Sequence, residues 1–326
     1  MKNFRFKIKT FRINLHYLLL GHLLYPFFVC ITLFHLGHYD TSIAKDFFNG
    51  ENAFKFLLMQ TNLGPRYPGS EGHSVALKLL KNQLETYGAV VEVQPFMHYD
   101  AVRRITLTMH NIIGSFYSRK ASRIILCAHW DTRPMADQDL PAKQHLPILG
   151  ANDGASGVAV LLEIAAHLQK KAPAVGVDIV FFDGEDYGEE GDLDNYFLGS
   201  RYFVQHNTRF FPRYAILLDM VGDAELELPI EGYSQQFAPK LVEKVWSVAA
   251  ALGIYQFLPE VRNYVSDDHI ILNQGGIPAI DIIDFEYPNK SHRYWHTLED
   301  TPDKCSPQSL QAVGQVLLKV IYDELP

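Results

Sequence analysis

The stretch IILCAHWD, residues 124–131, is an apolar run that ends in a histidine and an aspartate. Three further apolar runs end in acidic residues in the same way: DIVFFDGED (178–186), AILLDMVGD (215–223) and IPAIDIID (277–284). Short β-rich apolar runs that alternate with helical patterns are typical of a mainly parallel sheet with helices on both faces. The chain is therefore predicted to be an α/β protein built on a mixed, mainly parallel twisted sheet.

Periodicity supplies the remaining predicted elements. The segments 90–97 and 105–113 alternate polar and apolar residues, which predicts strands on an antiparallel side of the sheet. The helical spacing of apolar residues predicts helices over 42–60, 75–87, 156–170, 239–252 and 308–322, and a short helix from residue 200. The segment between 253 and 278 is assigned to a loop. With no internal repeat, residues 39–326 are predicted to form one catalytic domain.

Composition limits the possible partners and the possible ligands. The 326 residues are 48% hydrophobic and carry a net charge of −8. Without a basic stripe that contains aromatic residues, this acidic balance argues against nucleic acid as a partner. Cys127 and Cys305 are the two cysteines of the body, and their pairing is left open by the sequence. Since no Cys-x-x-Cys pattern occurs, a metal site would need oxygen and nitrogen ligands.

The N-terminal segment has the composition of a membrane-targeting leader. Five basic residues within the first twelve precede Leu15–Leu36, which contains no Asp, Glu, Lys or Arg. A basic region followed by an apolar run of spanning length predicts an uncleaved signal anchor over residues 1–38. The body would then lie outside the cytoplasm, in the cell envelope, attached to the membrane through this segment. A cleaved signal peptide and a soluble structural leader are the alternatives.

Side chains with metal or acid–base chemistry stand at the ends of the apolar runs. These are His129, the pair Glu185 and Asp186, and Asp219. Two loop motifs contribute further residues of this kind: GANDGASG (150–157) contains Asp153, and YWHT (294–297) contains His296. Each has an ordinary explanation alone: Asp153 could cap a helix, and adjacent acids often lie in a solvated loop. Because ligands bind at the carboxyl ends of parallel strands, the combination predicts a zinc centre at that edge.

The order of these motifs resembles a known family. HWDT (129–132), GANDGASG, FFDGED (181–186), LLDMVG (217–222) and WHT (295–297) are similar to the zinc-aminopeptidase-like fold. Within it they most resemble the glutaminyl cyclases, particularly the bacterial ones, over roughly residues 62–322. In the aminopeptidases of this fold two zinc ions are held by the positions that match His129, Asp153, Asp186, Asp219 and His296.

The cyclases retain one zinc ion per chain. The resemblance implies that Asp153, Asp186 and His296 hold it, with His129 and Asp219 as possible ligands of a second metal. The first acid of the pair, Glu185, matches the proton shuttle of the cyclases. The pair here ends in Asp186 where the animal cyclases have Glu, and the loop 187–196 lacks their pocket tryptophan.

Three further positions matter for the cyclase resemblance. The motif DDHI (267–270) matches the acidic loop of the cyclases, which implies that Asp267 forms a hydrogen-bond network with Asp219. Trp295 matches a pocket wall that contacts the substrate. Asp281 stands where the animal cyclases carry a histidine and is predicted to contribute to substrate binding.

The resemblance implies a zinc-dependent glutaminyl cyclase, which converts an N-terminal Gln of peptides and proteins to pyroglutamate and releases ammonia. Two alternatives remain at this point. One is a metallo-aminopeptidase with two metal ions, in which Glu185 is the base for an activated water. The other is a binding module without activity on the same fold, against which the complete set of acid–base and ligand side chains argues.

Overall fold

The computed structural model describes residues 47–207 and 211–326, in which eight strands and eight α-helices are formed. The strands are β1 (Val90–Asp100), β2 (Ile105–Phe116), β3 (Arg123–His129), β4 (Gly176–Phe182), β5 (Ala215–Asp219), β6 (Leu228–Glu231), β7 (Phe257–Arg262) and β8 (Ala279–Ile283). The helices are α1 (Gly50–Thr61), α2 (Glu71–Thr86), α3 (Ala155–Lys170), α4 (Leu198–His206), α5 (Gly232–Phe237), α6 (Pro239–Leu252), α7 (Asp268–Gln274) and α8 (Pro307–Asp323). The predicted leader, residues 1–38, lies outside the described residues, as does the first part of the predicted 39–326 domain.

A six-stranded sheet forms the centre of the fold, with the order β1-β2-β4-β3-β5-β8. Strand β3 pairs in parallel with β4 and β5, and β5 pairs in parallel with β8. Strands β1 and β2 form an antiparallel pair at one side, where β2 runs antiparallel to β4. The prediction of a mixed, mainly parallel sheet in a single α/β body is confirmed.

Helices cover both faces of the sheet because its central strands alternate apolar side chains between the two faces. Ile124 and Leu126 of β3 pack into a large core to which α1, α3 and α8 contribute. Ile125 and Cys127 of the same strand point to the other core, where Phe203 of α4 packs. All seven residues of β3 are buried, which explains why its sequence reads as a continuous apolar run.

The assignment of residues 253–278 to a loop is wrong. This segment contains β7, which pairs in parallel with β6 in a separate two-stranded sheet, and the helix α7. The sequences of these two strands are too short and too polar to predict strands: β6 has four residues, one of them a proline, and β7 reads FLPEVR. Proline and charged side chains are typical of such edge strands. This small sheet matters because it carries the loop that closes one side of the site.

The cysteines and the apolar helices of the described residues were two further points of the sequence analysis. Among the described cysteines, Cys127 and Cys305 are both buried and both free, so they do not pair with each other. No helix in the described part of the chain has the length and apolar character needed to cross a bilayer.

Candidate active site

The carboxyl ends of the parallel strands meet at a cavity of about 240 Å³. His129 is the last residue of β3 and Asp219 the last of β5, while Glu185 and Asp186 lie in the turn that follows β4, after Asp183 and Gly184. The cavity is lined by Asp153, Glu185, Asp186, Glu190, Gly191, Tyr196, Phe197, Asp219, Met220, Tyr264, Val265, Ser266, Asp267, Ile283, Phe285, Trp295 and His296. The predicted convergence at one sheet edge is therefore present.

A tight turn before α3 places the Asp153 carboxylate in the site. Gly154, which follows it, is the N-cap residue of α3 and has φ +100°, a conformation that favours glycine. A Cβ at this position would lie 2.4 Å from the backbone oxygen of Asp131, so the turn has no space for a side chain. The backbone N–H groups of Asn152 and Asp153 donate to the buried Asp300 carboxylate at 2.8 and 3.1 Å. The Asp153 side chain is thus left to face the cavity instead of capping the helix.

Asp153, Asp186 and His296 form the first of three groups of residues, found within 47–207 and 211–326, whose possible ligand atoms lie within 4.8 Å of one another. His296 Nε2 lies 3.6 Å from Asp153 Oδ2 and 3.4 Å from Asp186 Oδ1. A tetrahedral zinc ion with bonds of about 2.0–2.1 Å needs ligand atoms about 3.3–3.4 Å apart. The donor set, two carboxylates and one imidazole, is also one that zinc accepts with a fourth position open.

Buried polar groups around these side chains fit a bound cation. Arg133 Nη1 donates to Asp186 Oδ1 at 2.6 Å, while Asp186 Oδ2 is buried and finds no hydrogen-bond partner among the described residues. An unpaired buried carboxylate oxygen is costly unless a ligand binds it. Asp137 lies 3.5 Å from His296 Nδ1 and accepts from Arg133 at 2.8 Å. A carboxylate behind a ligating histidine fixes its ring orientation, so these residues fit a metal ion.

His129, Asp153 and Asp219 form the second group. His129 Nε2 lies 3.2 Å from Asp153 Oδ1 and 3.1 Å from Asp219 Oδ1, and the latter contact is a hydrogen bond. Burial lowers the pKa of His129, but its contacts with Asp131, Asp153 and Asp219 outweigh burial and raise that pKa well above its usual value. The Nε2 atom of the imidazole thus lies between two carboxylates and is hydrogen-bonded to that of Asp219.

Glu185 has the position and the environment of a general acid–base group. Its side chain is 13% exposed and its Oε2 lies 3.8 Å from His129 Nδ1. Burial, and next the negative charge of Asp267, raise the pKa of Glu185 well above its usual range. The positive charge of a bound metal ion would act in the opposite direction. A carboxyl group whose pKa is moved towards neutrality suits proton transfer.

Asp267 and Asp219 both line the cavity beside Glu185. Burial, and then the charge of Asp219, raise the pKa of Asp267 well above its usual value. Asp267 Oδ1 accepts from the backbone N–H of Asp268, the first residue of α7. The charge of Asp219 therefore acts on Asp267, while a direct hydrogen bond between the two acids stays a prediction.

The structure does not bring Asp281 to the cavity. This residue is completely buried in β8, and the third group of possible ligand atoms joins it to Asp267 and His269. Asp281 is absent from the residues that line the described cavity, although its carboxylate lies near that of Asp267, which does line it. The prediction of direct substrate contact for Asp281 has no support in this geometry.

Trp295 forms part of the cavity wall, as the sequence resemblance implies. Its ring stacks on that of His296 with centroids 3.8 Å apart and meets Phe285 edge-on at 5.3 Å. This packing holds both the wall and the imidazole of His296 in place. The aromatic side chains give the site an apolar boundary next to its polar groups.

Sequence reasoning missed three buried residues that organise the site. Arg133 pairs with Asp186 and Asp137, and Asp300 holds the turn that contains Asp153. In Glu231, Oε1 accepts from the backbone N–H groups of Tyr233 and Val265, while Oε2 accepts from Ser234. These contacts fix the loop that leads to Asp267. Each of the three is a charged residue in a loop or at the end of a strand, which is common on surfaces and gives no signal in the sequence.

The fold and the site define a metal-dependent class of α/β enzyme, and the chain belongs to peptidase family M28, whose family model matches residues 111–321. Among solved structures it is similar to Tannerella forsythia glutaminyl cyclase, with 40% identity and a TM-score of 0.82 over 85% of this chain and 99% of that one. A Zn-dependent exopeptidase from Parabacteroides distasonis is 37% identical with a TM-score of 0.81, over 85% of this chain and 99% of that one. A glutaminyl-peptide cyclotransferase of Boiga dendrophila is 23% identical over 82% of this chain and 81% of the relative.

Proposed function

We propose that this chain is a zinc-dependent glutaminyl cyclase, which converts the N-terminal Gln of peptides and proteins to pyroglutamate with release of ammonia. The observation that carries the proposal is the placement of Glu185. Its carboxyl group lies in the small cavity beside Asp153, Asp186 and His296, and it belongs to none of the groups of possible metal ligands among the described residues. The similarity to solved glutaminyl cyclases over 85% of the chain supports the same function.

One zinc ion per chain is proposed, held by Asp153, Asp186 and His296. When bound, zinc supplies a Lewis acid that polarises the side-chain amide carbonyl of the substrate Gln and stabilises negative charge on its oxygen. The Zn-dependent exopeptidase of the same fold supports the choice of metal. The residues of the chain contribute the remaining steps by orientation and proton transfer.

Cyclisation needs no water nucleophile. The α-amine nitrogen of the substrate forms a bond to the side-chain amide carbon, and the bond from that carbon to the amide nitrogen breaks. Glu185 accepts a proton from the attacking amine and donates it to the departing nitrogen, which leaves as ammonia. Proton and bond changes therefore balance within the substrate and one carboxyl group. Asp267 and Asp219 form the acidic surroundings of Glu185, and the charge of Asp267 raises the pKa of the Glu185 carboxyl group.

The size of the cavity favours this reaction. A volume of about 240 Å³ lies below the range of roughly 300–1,000 Å³ that is usual for sites of drug-sized ligands. Such a cavity suits one amino-acid residue whose side chain folds back towards its own amine. The cost of an intramolecular reaction is mainly orientation, so a close-fitting wall that includes Trp295 and Phe285 contributes to the rate.

A two-metal aminopeptidase is the second candidate, because His129, Asp153 and Asp219 also lie within 4.8 Å of one another. In this group, however, His129 and Asp219 already hydrogen-bond to each other at 3.1 Å. His129 Nε2 and Asp219 Oδ1 thus have a partner in each other, although His129 Nδ1 is buried without one, whereas Asp186 in the first group keeps a buried carboxylate oxygen without a partner among the described residues. This difference favours one metal ion and the cyclase.

An assay of two reactions tests the proposed function. The purified enzyme should release ammonia from peptides with N-terminal Gln, and it should hydrolyse neutral aminoacyl amides at least 100-fold less efficiently by kcat/KM. The expectation follows because zinc and Glu185 are arranged for an internal nucleophile. A preparation that contains zinc and hydrolyses aminoacyl amides, but forms no pyroglutamate, would establish the aminopeptidase instead.

We also infer that residues 1–38 anchor the protein in a membrane with the body outside the cytoplasm. Five basic residues before Leu15–Leu36 support this orientation, since basic residues remain on the cytoplasmic side. The native full-length protein should sediment with membranes and be accessible to protease added from outside the cytoplasm. Recovery of the uncleaved chain in the cytosolic fraction would contradict the anchor.

A further inference from the structure

Tyr264 is an exposed aromatic residue at the mouth of the cavity. It lines the same cavity as Glu185 and Trp295, yet 64% of its surface is exposed to solvent. Two other tyrosines with large exposure, Tyr255 and Tyr99, are absent from the described lining of this cavity. Tyr264 therefore combines solvent access with a position beside the site where chemistry is proposed.

The ring of Tyr264 is held in place because it packs against other protein groups on one side. A Cβ on Gly232 would lie 2.5 Å from Cε1 of the ring, so the ring lies directly against the glycine backbone. Tyr233 meets the ring edge-on at 5.1 Å with an interplanar angle of 83°. One face is thus supported by the protein, and the exposed surface of a supported ring can bind a substrate group with little loss of side-chain entropy.

The backbone that carries Tyr264 is also fixed. Asn263 has φ +51°, and its carbonyl oxygen accepts from the N–H of Gly232 at 3.0 Å. On the other side of the tyrosine, the N–H of Val265 donates to the buried Glu231 carboxylate at 3.1 Å. The position of the ring relative to the cavity is therefore determined before any substrate binds.

The charges at the cavity mouth determine which substrate side chains are attracted to it. Glu190 lines the cavity and is exposed, with Oε2 accepting from Gln138 at 3.1 Å. Among the described residues that line the cavity none is lysine or arginine. The mouth thus presents a carboxylate and an aromatic face. Both attract cations, and the ring also stacks with flat side chains.

We propose that Tyr264 and Glu190 form a subsite for the second residue of the substrate, and that this subsite selects a cationic or aromatic side chain over an acidic one. The proposal rests on the proposed cyclase function, in which the N-terminal Gln lies in the cavity beside Glu185 and His296. The residue that follows Gln then extends from there towards the exposed lining residues at the mouth. Its side chain then meets Tyr264 and Glu190.

The experiment compares four peptides that begin with Gln and carry Arg, Phe, Gly or Glu in the second position. Arg and Phe should give higher kcat/KM for ammonia release than Gly, and Glu should give a lower value. In Tyr264→Ala the advantage of Arg and Phe over Gly should fall roughly two- to five-fold, because aromatic and cation–π contacts at exposed sites are of that size. Tyr264→Phe should retain the wild-type ratios, since it keeps the ring.

Two further variants complete the design. Glu190→Gln should reduce the disadvantage of Glu in the second position, while Tyr255→Ala, which removes an exposed tyrosine outside the described cavity lining, should keep all ratios. Wild-type ratios in Tyr264→Ala, or an equal decrease for all four peptides, would overturn the subsite.

Affinity measurements separate this proposal from the proposed function. The same four peptides are titrated calorimetrically into Glu185→Gln, with and without Tyr264→Ala. Arg and Phe peptides that bind more tightly than the Gly peptide only when Tyr264 is present support the subsite whether or not ammonia is released. Absence of ammonia release in the wild type would then contradict the cyclase alone, and equal affinities for Arg, Phe and Gly peptides would contradict the subsite alone.

Discussion

Replacing Glu185 by Gln is expected to lower kcat/KM for pyroglutamate formation by roughly 10²–10⁴-fold, the contribution of general acid–base catalysis. Gln has almost the same size as Glu but cannot accept and return the proton that moves from the amine to the leaving ammonia. Asp153, Asp186 and His296 are unchanged by the substitution, so the zinc content should remain that of the wild type. Ammonia release and elemental analysis of the same preparation measure both quantities.

Glu260→Gln is the matched control for this variant, since Glu260 is exposed and does not line the described cavity. It should retain wild-type activity and zinc content. A Glu185→Gln enzyme with activity within threefold of the wild type would exclude Glu185 as the proton shuttle. A loss of zinc together with activity would indicate instead that Glu185 holds the metal. The result identifies the acid–base group in either enzyme class, and the two-reaction assay decides between the classes.

The sheet and the central acids were predictable because they depend on local sequence. A strand that is buried on both faces is mostly apolar, and every residue of β3 and β4 is buried, with a continuous apolar run in the middle of β3 and at the end of β4. The polar residue that ends such a run lies at the carboxyl edge of the sheet by geometry alone. His129, Glu185 and Asp219 could therefore be placed together from the sequence without knowledge of any distance.

The groups that support the site were not predictable in the same way. Arg133, Asp300 and Glu231 act through contacts with residues far away in sequence, such as the pair between Arg133 and Asp186. No periodicity in the sequence identifies a loop residue whose side chain takes part in buried polar contacts. The same limitation applies to Asp281, which lies in the predicted strand but whose complete burial outside the described cavity lining depends on how β8 packs.

The two proposed roles of the acidic pair require that its members reach different partners. The backbone N–H groups of Glu185 and Asp186 both point to the buried Asp131 carboxylate, at 3.2 and 3.4 Å. Arg133 pairs with Asp186 and holds it beside His296. Glu185, in contrast, is influenced by the negative charge of Asp267. Adjacent residues thus reach different partners, so one can hold metal while the other transfers protons.

Replacing His296 by Asn is expected to remove bound zinc and to lower kcat/KM by roughly 10³-fold or more, because a metal Lewis acid contributes several kcal/mol to stabilising the transition state. Asn is too short to reach the position of Nε2. It also tolerates the left-handed backbone at this residue, where φ is +54°, so the loop should keep its conformation. The pair between Arg133 and Asp186 stays intact, which avoids leaving a buried charge unpaired.

The matched control is the same substitution at the other histidine, His129→Asn. With one zinc ion held by Asp153, Asp186 and His296, the wild type should contain near one equivalent after dialysis, His129→Asn should retain it, and His296→Asn should contain almost none. Circular dichroism and thermal unfolding of both variants verify that the fold is kept. Two equivalents in the wild type, with one lost in His129→Asn and both needed for activity, would contradict the single-zinc cyclase. The group of His129, Asp153 and Asp219 would then hold the second metal ion of an aminopeptidase.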